Sequence, residues 1–308
     1  MLTPSPRHQG EPLAAHDVWG AWNLDPVVVV VLAMLAGAYV HGVWRRPRLG
    51  QQTRTWCFGA GFVALAVALV SPLDPLADQL ASAHMVQHLL LTTVAPALLV
   101  LGRSGALTLA GAPAPVRRVV AGRRRLRGMM RWWRSLHRPV AAWLAAAIAL
   151  WAWHAAALYE AALEHPLVHV AQHGSFLLTG VLFWSVILRP RRYALDLANG
   201  RAAILVFTLG MQNVVLALLL TFSTSPWYDA YAETTRRWGL DPLVDQQLAG
   251  AIMWVPAGLL NVGVGIALVT TWVRRTDGGL DAAGDWPSGE VDARPDHVTP
   301  GARTRTDP

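Results

Sequence analysis

The chain has 308 residues, of which 54% are hydrophobic and 15% are charged, against roughly 25% charged residues in soluble domains. The charge of +7 comes from 26 basic residues, all arginine, and no charged residue lies between Asp25 and Arg45 or between Arg201 and Asp229. This segregation excludes an ordinary soluble domain and argues against nucleic-acid binding, because a bilayer explains where the arginines lie. The single cysteine, Cys57, excludes an intramolecular disulfide and a Cys-pair metal site.

Seven segments are apolar over roughly the 20 residues that a membrane-spanning helix needs. In chain order they are residues 26–44, 55–71, 83–101, 140–159, 167–188, 202–222 and 248–273. Strand-like alternation is missing, so we predict an all-α polytopic membrane protein, a bundle of seven transmembrane helices within a domain at 26–275.

The two ends of the chain differ from this domain in composition. Residues 1–25 contain no short apolar core preceded by positive charge, so we expect a tail without a cleavable signal peptide. Residues 276–308 are rich in Gly, Pro and Asp, and we expect a disordered tail there.

The arginines predict the orientation in the membrane. Alternate loops, those after spans one, three, five and seven, hold 20 of the 26, whereas the opposite loops with the N-terminal tail hold only Arg7, Arg236 and Arg237. The positive-inside rule then predicts an N-terminus outside and a C-terminus in the cytoplasm. The basic cytoplasmic loop 102–139, with its Trp132-Trp133 pair, is expected to rest on anionic lipid headgroups.

Two His-x-x-x-His motifs begin spans three and five. The first pair is His84 and His88, and the second is His169 and His173. Residues four apart lie on one face of a helix, so each motif directs two imidazoles the same way. The neighbouring glutamines that we expect to support them are Gln87 and Gln172.

A third helical histidine, His154, is predicted near the outer end of span four, and His165 lies in the following outer loop. A single histidine at a membrane interface is ordinarily an anchor, and polar groups in spans also hold helices together. Ionisable residues within spans are nevertheless functional candidates by default. We therefore expect the histidines at this face to bind a metal ion or a cofactor.

The residue types favour certain metals. Imidazole suits copper, zinc, iron and nickel, and an N-rich set without thiolate fits copper well, with zinc or haem as alternatives. The nearest carboxylates in the sequence are Glu160 and Glu164 of the outer loop, and Glu160 is a candidate supporting residue. Neither histidine pair has the H-E-x-x-H protease pattern, so we expect no hydrolysis and no enzyme activity.

The last outer loop, residues 223–247, offers further candidates. We interpret its aromatic residues, including Tyr228 and Tyr231, as an interfacial belt. Asp245 precedes span seven and either caps that helix or orients a ligating histidine.

Several motifs in a fixed order carry a resemblance to a known family. They are His84–His88 with 94–99, Trp153-His154 with 157–161, His169–Phe176 with Phe183-Trp184, Phe222-Ser223 with 226–228, and 245–250 with 253–256. Together they resemble the membrane-integrated CtaG-type assembly factors of bacterial cytochrome c oxidase. The resemblance implies a protein of the bacterial cytoplasmic membrane that helps form haem–copper terminal oxidases, with oxidase subunits as partners. It also implies that the family-pattern histidines are His84, His88, His154, His169 and His173.

The expected function is a non-enzymatic assembly factor that binds copper at the outer face and assists metal insertion into an oxidase subunit. One alternative is a b-type cytochrome in which histidines of spans three and five are axial haem ligands. Another is a copper transporter, which needs ligands in the inner half of the bundle, where the sequence offers little beyond His41 and Cys57.

Overall fold

The computed structural model describes residues 17–49, 51–123, 137–188 and 198–284. Every regular element in these ranges is helical, which confirms the all-α prediction. The helices are α1 Pro26–Arg45, α2 Gln52–Leu69, α3 Leu73–Ala77, α4 Ala81–Leu101, α5 Ser104–Gly111, α6 Ala114–Arg123, α7 Pro139–His154, α8 Ala156–Glu164, α9 Pro166–Leu188, α10 Ala198–Thr221, α11 Thr234–Arg237 and α12 Pro242–Gly284.

Among the described residues, 5 helices are long and apolar enough to cross a membrane, namely α1, α4, α9, α10 and α12. The number rises to 6 if α7 and α8 are counted as one bent span. Helix α2 corresponds to the predicted second span, but its first turn carries Gln52 and Arg54 and it does not belong to this set. The chain therefore has the helices of a multi-pass membrane protein, with 5 to 6 candidate spans against the seven predicted.

The predicted fourth span, 140–159, is not one continuous helix. Helix α7 ends at His154 because Ala155 has an extended backbone (φ −66°, ψ 129°), and α8 departs at 75°. The break releases the backbone carbonyl of His154, which accepts a hydrogen bond from the Tyr228 hydroxyl at 3.0 Å. The partner that stabilises the break is thus distant in sequence, so local pattern did not reveal it.

The basic loop begins with a helix that packs on α1. Gly42 of α1 and Gly111 of α5 face each other so closely that a Cβ on Gly111 would lie 1.9 Å from the carbonyl oxygen of Ala38. Leu107 of α5 is fully buried in the contact. Residues 104–111 therefore pack on protein rather than on headgroups, while residues 124–136, with the tryptophan pair, lie outside the described residues.

Helix α12 is longer than predicted at both ends. It begins at Pro242 because the Asp241 carboxylate accepts the backbone N–H groups of Leu243 and Val244 at 2.8 and 3.3 Å. Asp245 consequently lies in the first turn and does not cap its own helix. At the other end α12 continues to Gly284, past the predicted start of the tail at residue 276, and residues 285–308 lie outside the described residues.

Candidate metal centre

The five predicted histidines form one cluster inside the bundle. The ring centroids are 4.2 Å apart within each pair, His84–His88 and His169–His173. Across the pairs, His84 lies 5.8 Å from His169 and His88 lies 5.8 Å from His173, while His154 lies 5.7 Å from His88. None of the five is more than 8% exposed. The structure thus joins residues from three helices, α4, α7 and α9, in one buried site.

The close packing of α4 and α9 brings the two pairs together. Directly after His88, α4 makes a π-helical turn at Leu90–Val94, a feature that is frequent at functional sites. Gly180 of α9 sits against this turn, and a Cβ there would lie 2.7 Å from the carbonyl oxygen of Thr92. Glycine at this position therefore allows the helix approach that places the histidine pairs face to face.

Backbone acceptors select the tautomers of two rings. His84 Nδ1 lies 3.3 Å from the carbonyl oxygen of Ala77, and His154 Nδ1 lies 2.7 Å from that of Leu150. A carbonyl oxygen can only accept a hydrogen bond, so each Nδ1 carries the hydrogen and each Nε2 keeps its lone pair. Such a bond on the second ring nitrogen is the usual way in which proteins orient a metal-ligating histidine.

Four buried imidazole nitrogens make no hydrogen bond with any described residue: Nε2 of His84, both ring nitrogens of His88, and Nε2 of His154. Burying an unpaired polar group is costly, by about 1–3 kcal/mol each. Ligand nitrogens of His84, His88 and His173 all lie within 4.8 Å of one another. Three imidazoles that converge in this way, two of them with unpaired nitrogens, fit a metal ion that prefers nitrogen ligands.

Three tyrosines that the sequence did not assign to the site pack beside the cluster, and two of them, Tyr159 and Tyr231, contact His84. The Tyr159 ring lies 5.0 Å from His84 and stacks on Tyr228 at 3.9 Å. The Tyr231 hydroxyl donates to the carbonyl of Ala77 at 2.9 Å and lies 3.1 Å from His84 Nδ1 and 3.2 Å from the Tyr159 hydroxyl. Burial raises the pKa of Tyr228 and of Tyr231, so both remain neutral hydroxyl donors.

The interpretation of this loop as an interfacial belt is therefore wrong for two of its aromatics. Tyr228 and Tyr231 are each only 2% exposed, and they pack on the histidine cluster instead of facing a membrane surface. The reason is that the loop folds back over α8 and the start of α4, which the aromatic composition alone does not specify.

The two glutamines of the motifs are fully buried. Gln87 donates from Nε2 to the carbonyl of Ala68 at 2.6 Å and to the carboxylate of Asp74 at 2.9 Å. The Gln172 amide lies against the His84 ring. Gln87 thus connects α4 to α2 and α3, and the predicted support of the histidines by both glutamines stays a prediction.

The two predicted supporting carboxylates act on the backbone. Asp245 is 1% exposed and accepts the N–H groups of Ala81 and Ser82 at 2.7 and 3.3 Å. It therefore caps α4, the helix that carries the first histidine pair, and holds it by its backbone. Glu160 accepts the N–H of Asp229 at 2.9 Å and anchors the loop at residues 223–247.

The carboxylate nearest the histidines is Asp74, which sequence reasoning missed. Asp74 lies in α3, is 5% exposed, and has a carboxylate oxygen within 4.8 Å of ligand atoms of His169 and His173. Glu160 and Glu164, named from the sequence as the nearest acids, do not belong to this group. The sequence did contain a signal for this residue. Asp74 lies in the Leu73-Asp74-Pro75 segment that precedes span three, at the end of that span where the histidines were predicted.

The fold and the site together define a helical protein with the helices of a multi-pass membrane protein and a buried cluster of imidazoles. The chain belongs to the family described as cytochrome c oxidase caa3 assembly factor (Caa3_CtaG), whose family model matches residues 37–275. That match covers every helix of the histidine cluster and confirms the resemblance seen in the motifs.

The chain is also similar to uncharacterised mycobacterial proteins. It is 27% identical over 285 residues to "Uncharacterized protein Mb0105" of Mycobacterium bovis and to "Uncharacterized protein MT0111" of Mycobacterium tuberculosis, a match covering 86% of this chain and 41% of each relative. It is 26% identical over 274 residues to "Uncharacterized protein ML1998" of Mycobacterium leprae, covering 82% and 40%. The chain therefore spans about two fifths of the length of these curated relatives. No solved structure matches the chain.

Proposed function

We propose that this protein assists assembly of a haem–copper terminal oxidase by holding copper at the histidine cluster and passing it to an oxidase subunit. The family match supports the assembly role. The observation that carries the copper step is the convergence of three buried ligand nitrogens, from His84, His88 and His173, within 4.8 Å of one another. The protein acts as a binding and delivery factor, without catalysing a reaction.

The surroundings of the cluster support a copper ion as cargo. Imidazole ligands suit copper, and the cluster is rich in nitrogen ligands and contains no thiolate. The Phe176 ring lies 4.7 Å from His88, and Tyr159 covers His84, so aromatic rings shield the ligands from water. A shielded set of neutral imidazoles holds a copper ion through nitrogen bonds and releases it when a partner offers competing ligands.

We propose further that the cluster lies at the extracytoplasmic face of the bacterial cytoplasmic membrane. Asn23, just before α1, donates to Asp74 beside the cluster. The other end of the 20-residue helix α1 is roughly 30 Å away at ~1.5 Å rise per residue. There Arg45, Arg46 and Arg117 line one surface depression. The arginine-rich end and the histidine end are thus opposite, and the positive-inside rule assigns the former to the cytoplasm.

The orientation is tested by single cysteines in a Cys57→Ala background. A cysteine at Glu233, whose side chain is 84% exposed, is expected to react with a membrane-impermeant thiol reagent in intact cells. A cysteine at the exposed Arg118 is expected to react only after the cells are permeabilised. The reverse labelling would overturn the extracytoplasmic assignment.

Copper binding is tested by His84→Ala, His88→Ala and His173→Ala. Each change leaves an incomplete ligand set, so each is expected to lower the copper content of the purified protein and the oxidase activity of the cell while the amount of protein in the membrane stays near normal. Double changes are expected to be about as severe as single ones, because ligands that act as a unit are not additive.

The matched control is His41→Ala. His41 lies on an exposed face near the end of α1, where its Nε2 accepts from Arg45 at 2.9 Å, and its removal is expected to leave copper and oxidase activity unchanged. Full copper content in all three cluster variants would refute the proposal, as would copper loss confined to His41→Ala.

The haem alternative fits the site less well. A porphyrin needs a flat slot that extends well beyond its two axial histidines, but Tyr159 and Phe176 occupy the space beside the rings. The visible spectrum of the purified protein decides the matter, because a Soret band without copper would favour haem.

Copper transport remains a second candidate because of one cavity. A cavity of about 90 Å³ begins at His88 and His154 and is lined further on by Asn213 and Met253. Its lining is mostly apolar, with polar side chains such as Asn213 and Asn261 away from the histidines. Copper uptake by proteoliposomes that contain the purified protein would support this function over delivery alone.

A further inference from the structure

We propose that the cluster contains a second metal position, formed by Asp74, His169 and His173, beside the all-imidazole position of His84, His88 and His173. It rests on the proposed function, because both positions serve the same copper cargo. The second position takes a divalent ion, Cu(II), whereas the first takes Cu(I).

The geometry supplies two overlapping ligand sets. Ligand atoms of Asp74, His169 and His173 all lie within 4.8 Å of one another, as do those of His84, His88 and His173. The Nε2 atoms of His169 and His173 are 3.1 Å apart. His173 belongs to both sets, so the two positions overlap and compete for this one ligand.

The Asp74 carboxylate is oriented by two amides. Gln87 Nε2 donates to its Oδ1 at 2.9 Å, and Asn23 Nδ2 donates to its Oδ2. An ionised carboxylate offers about four lone-pair sites, so one carboxylate can accept hydrogen bonds and bind a metal ion at the same time. Hydrogen bonds of this kind to a ligating carboxylate are part of most metal sites, because they hold the ligand in place.

The two positions differ in charge and hardness. The Asp74 position contributes a carboxylate and two imidazoles, and hard oxygen ligands favour divalent ions. The all-imidazole position is neutral and suits the softer monovalent copper. Each ion binds without electron transfer, so no reductant is required for either event.

The order along the helices indicates which position an ion meets first. His169 lies one turn closer than His173 to the start of α9, and Asp74 precedes α4, the helix that carries His84 and His88. The Asp74 position therefore lies towards the helix starts, and the all-imidazole position extends deeper, to His88.

The test uses the purified full chain in detergent, titrated separately with Cu(I) and with Cu(II). Asp74→Asn keeps the shape of the side chain but removes the charge, and it replaces one of the two acceptor oxygens with an NH2 group. It is expected to weaken Cu(II) binding by about tenfold or more, the scale seen even when a partner that orients a ligand is lost, and to change the Cu(II) EPR spectrum. Cu(I) affinity is expected to stay within about twofold.

Three further variants complete the design. His169→Ala is expected to behave as Asp74→Asn does, whereas His88→Ala is expected to lose Cu(I) and keep Cu(II). His173→Ala is expected to lose both ions. Glu164→Gln is the matched carboxylate control, since Glu164 is exposed and lies outside both ligand groups, and it is expected to leave both titrations unchanged.

The outcomes separate the two proposals. The second position is wrong if Asp74→Asn and His169→Ala bind Cu(II) as tightly as the unchanged protein does. It is also wrong if these changes lower the affinities for Cu(I) and Cu(II) equally. In either case Cu(I) binding at the first position still stands. If the unchanged protein binds neither ion, the proposed copper delivery fails as well.

Discussion

Replacing Tyr231 with phenylalanine isolates the contribution of one hydroxyl to the metal centre. That hydroxyl lies 3.1 Å from His84 Nδ1, 2.9 Å from the carbonyl of Ala77 and 3.2 Å from the Tyr159 hydroxyl. The ring stays, so the packing around His84 is kept and only these hydrogen bonds are lost. We expect weaker copper binding, because the bond to Nδ1 helps hold the His84 ring with Nε2 facing the site.

The contacts around His84 determine how much copper affinity Tyr231→Phe is expected to lose. Losing a partner that orients a ligating histidine typically costs 10–100-fold in metal affinity. The carbonyl of Ala77 still accepts from His84 Nδ1 at 3.3 Å, a long bond that preserves the tautomer but holds the ring less firmly. We therefore expect the lower end of the range, about tenfold, which equals about 1.4 kcal/mol. The buried Tyr159 hydroxyl also loses a partner, at a cost in stability of about 1–3 kcal/mol.

Competition with a chromophoric Cu(I) chelator measures the affinity, and thermal unfolding in detergent measures the stability. Tyr228→Phe is the matched control, because its hydroxyl bonds the backbone carbonyl of His154 at 3.0 Å and no imidazole nitrogen. It is expected to lower stability while changing copper affinity by less than Tyr231→Phe does. Unchanged copper affinity in a folded Tyr231→Phe protein would refute the assignment of Tyr231 as a positioning residue.

Two further predictions concern the scaffold. Asp245→Ala leaves the buried N–H groups at the start of α4 without their acceptor and is expected to destabilise the protein by about 1–3 kcal/mol. The unfolding temperature and the copper content are both expected to fall. An unchanged unfolding temperature would contradict the capping role. Gly111→Val is expected to abolish the packing of α5 on α1, since a Cβ would lie 1.9 Å from the Ala38 carbonyl oxygen, and to lower the amount of folded protein in the membrane. The matched Gly59→Val, with nothing within 4 Å of its Cβ, is expected to be tolerated, and equal effects of the two changes would contradict the prediction.

The sequence was sufficient for the all-α class, for most of the long apolar helices, and for the five histidines that the structure brings together. Apolar runs of roughly 20 residues predict spanning helices because a helix of that length matches the thickness of the hydrocarbon core. A spacing of four residues puts His84 with His88, and His169 with His173, on one helix face. The alternation of charged loops also placed the two pairs and His154 at the same end of the bundle. These features depend on local periodicity and composition, which can be read along the chain.

Only the tertiary structure decided what surrounds those histidines. Asp74 lies near His169 and His173 because α3 packs against α4. Tyr231 contacts His84 because the loop at residues 223–247 folds back over α8. The cap of α4 comes from Asp245, 164 positions away from Ala81 in sequence. Such contacts form between elements whose separation along the chain has no relation to their separation in space. Periodicity can therefore predict which face a side chain occupies, whereas the partners across that face follow from how the helices pack.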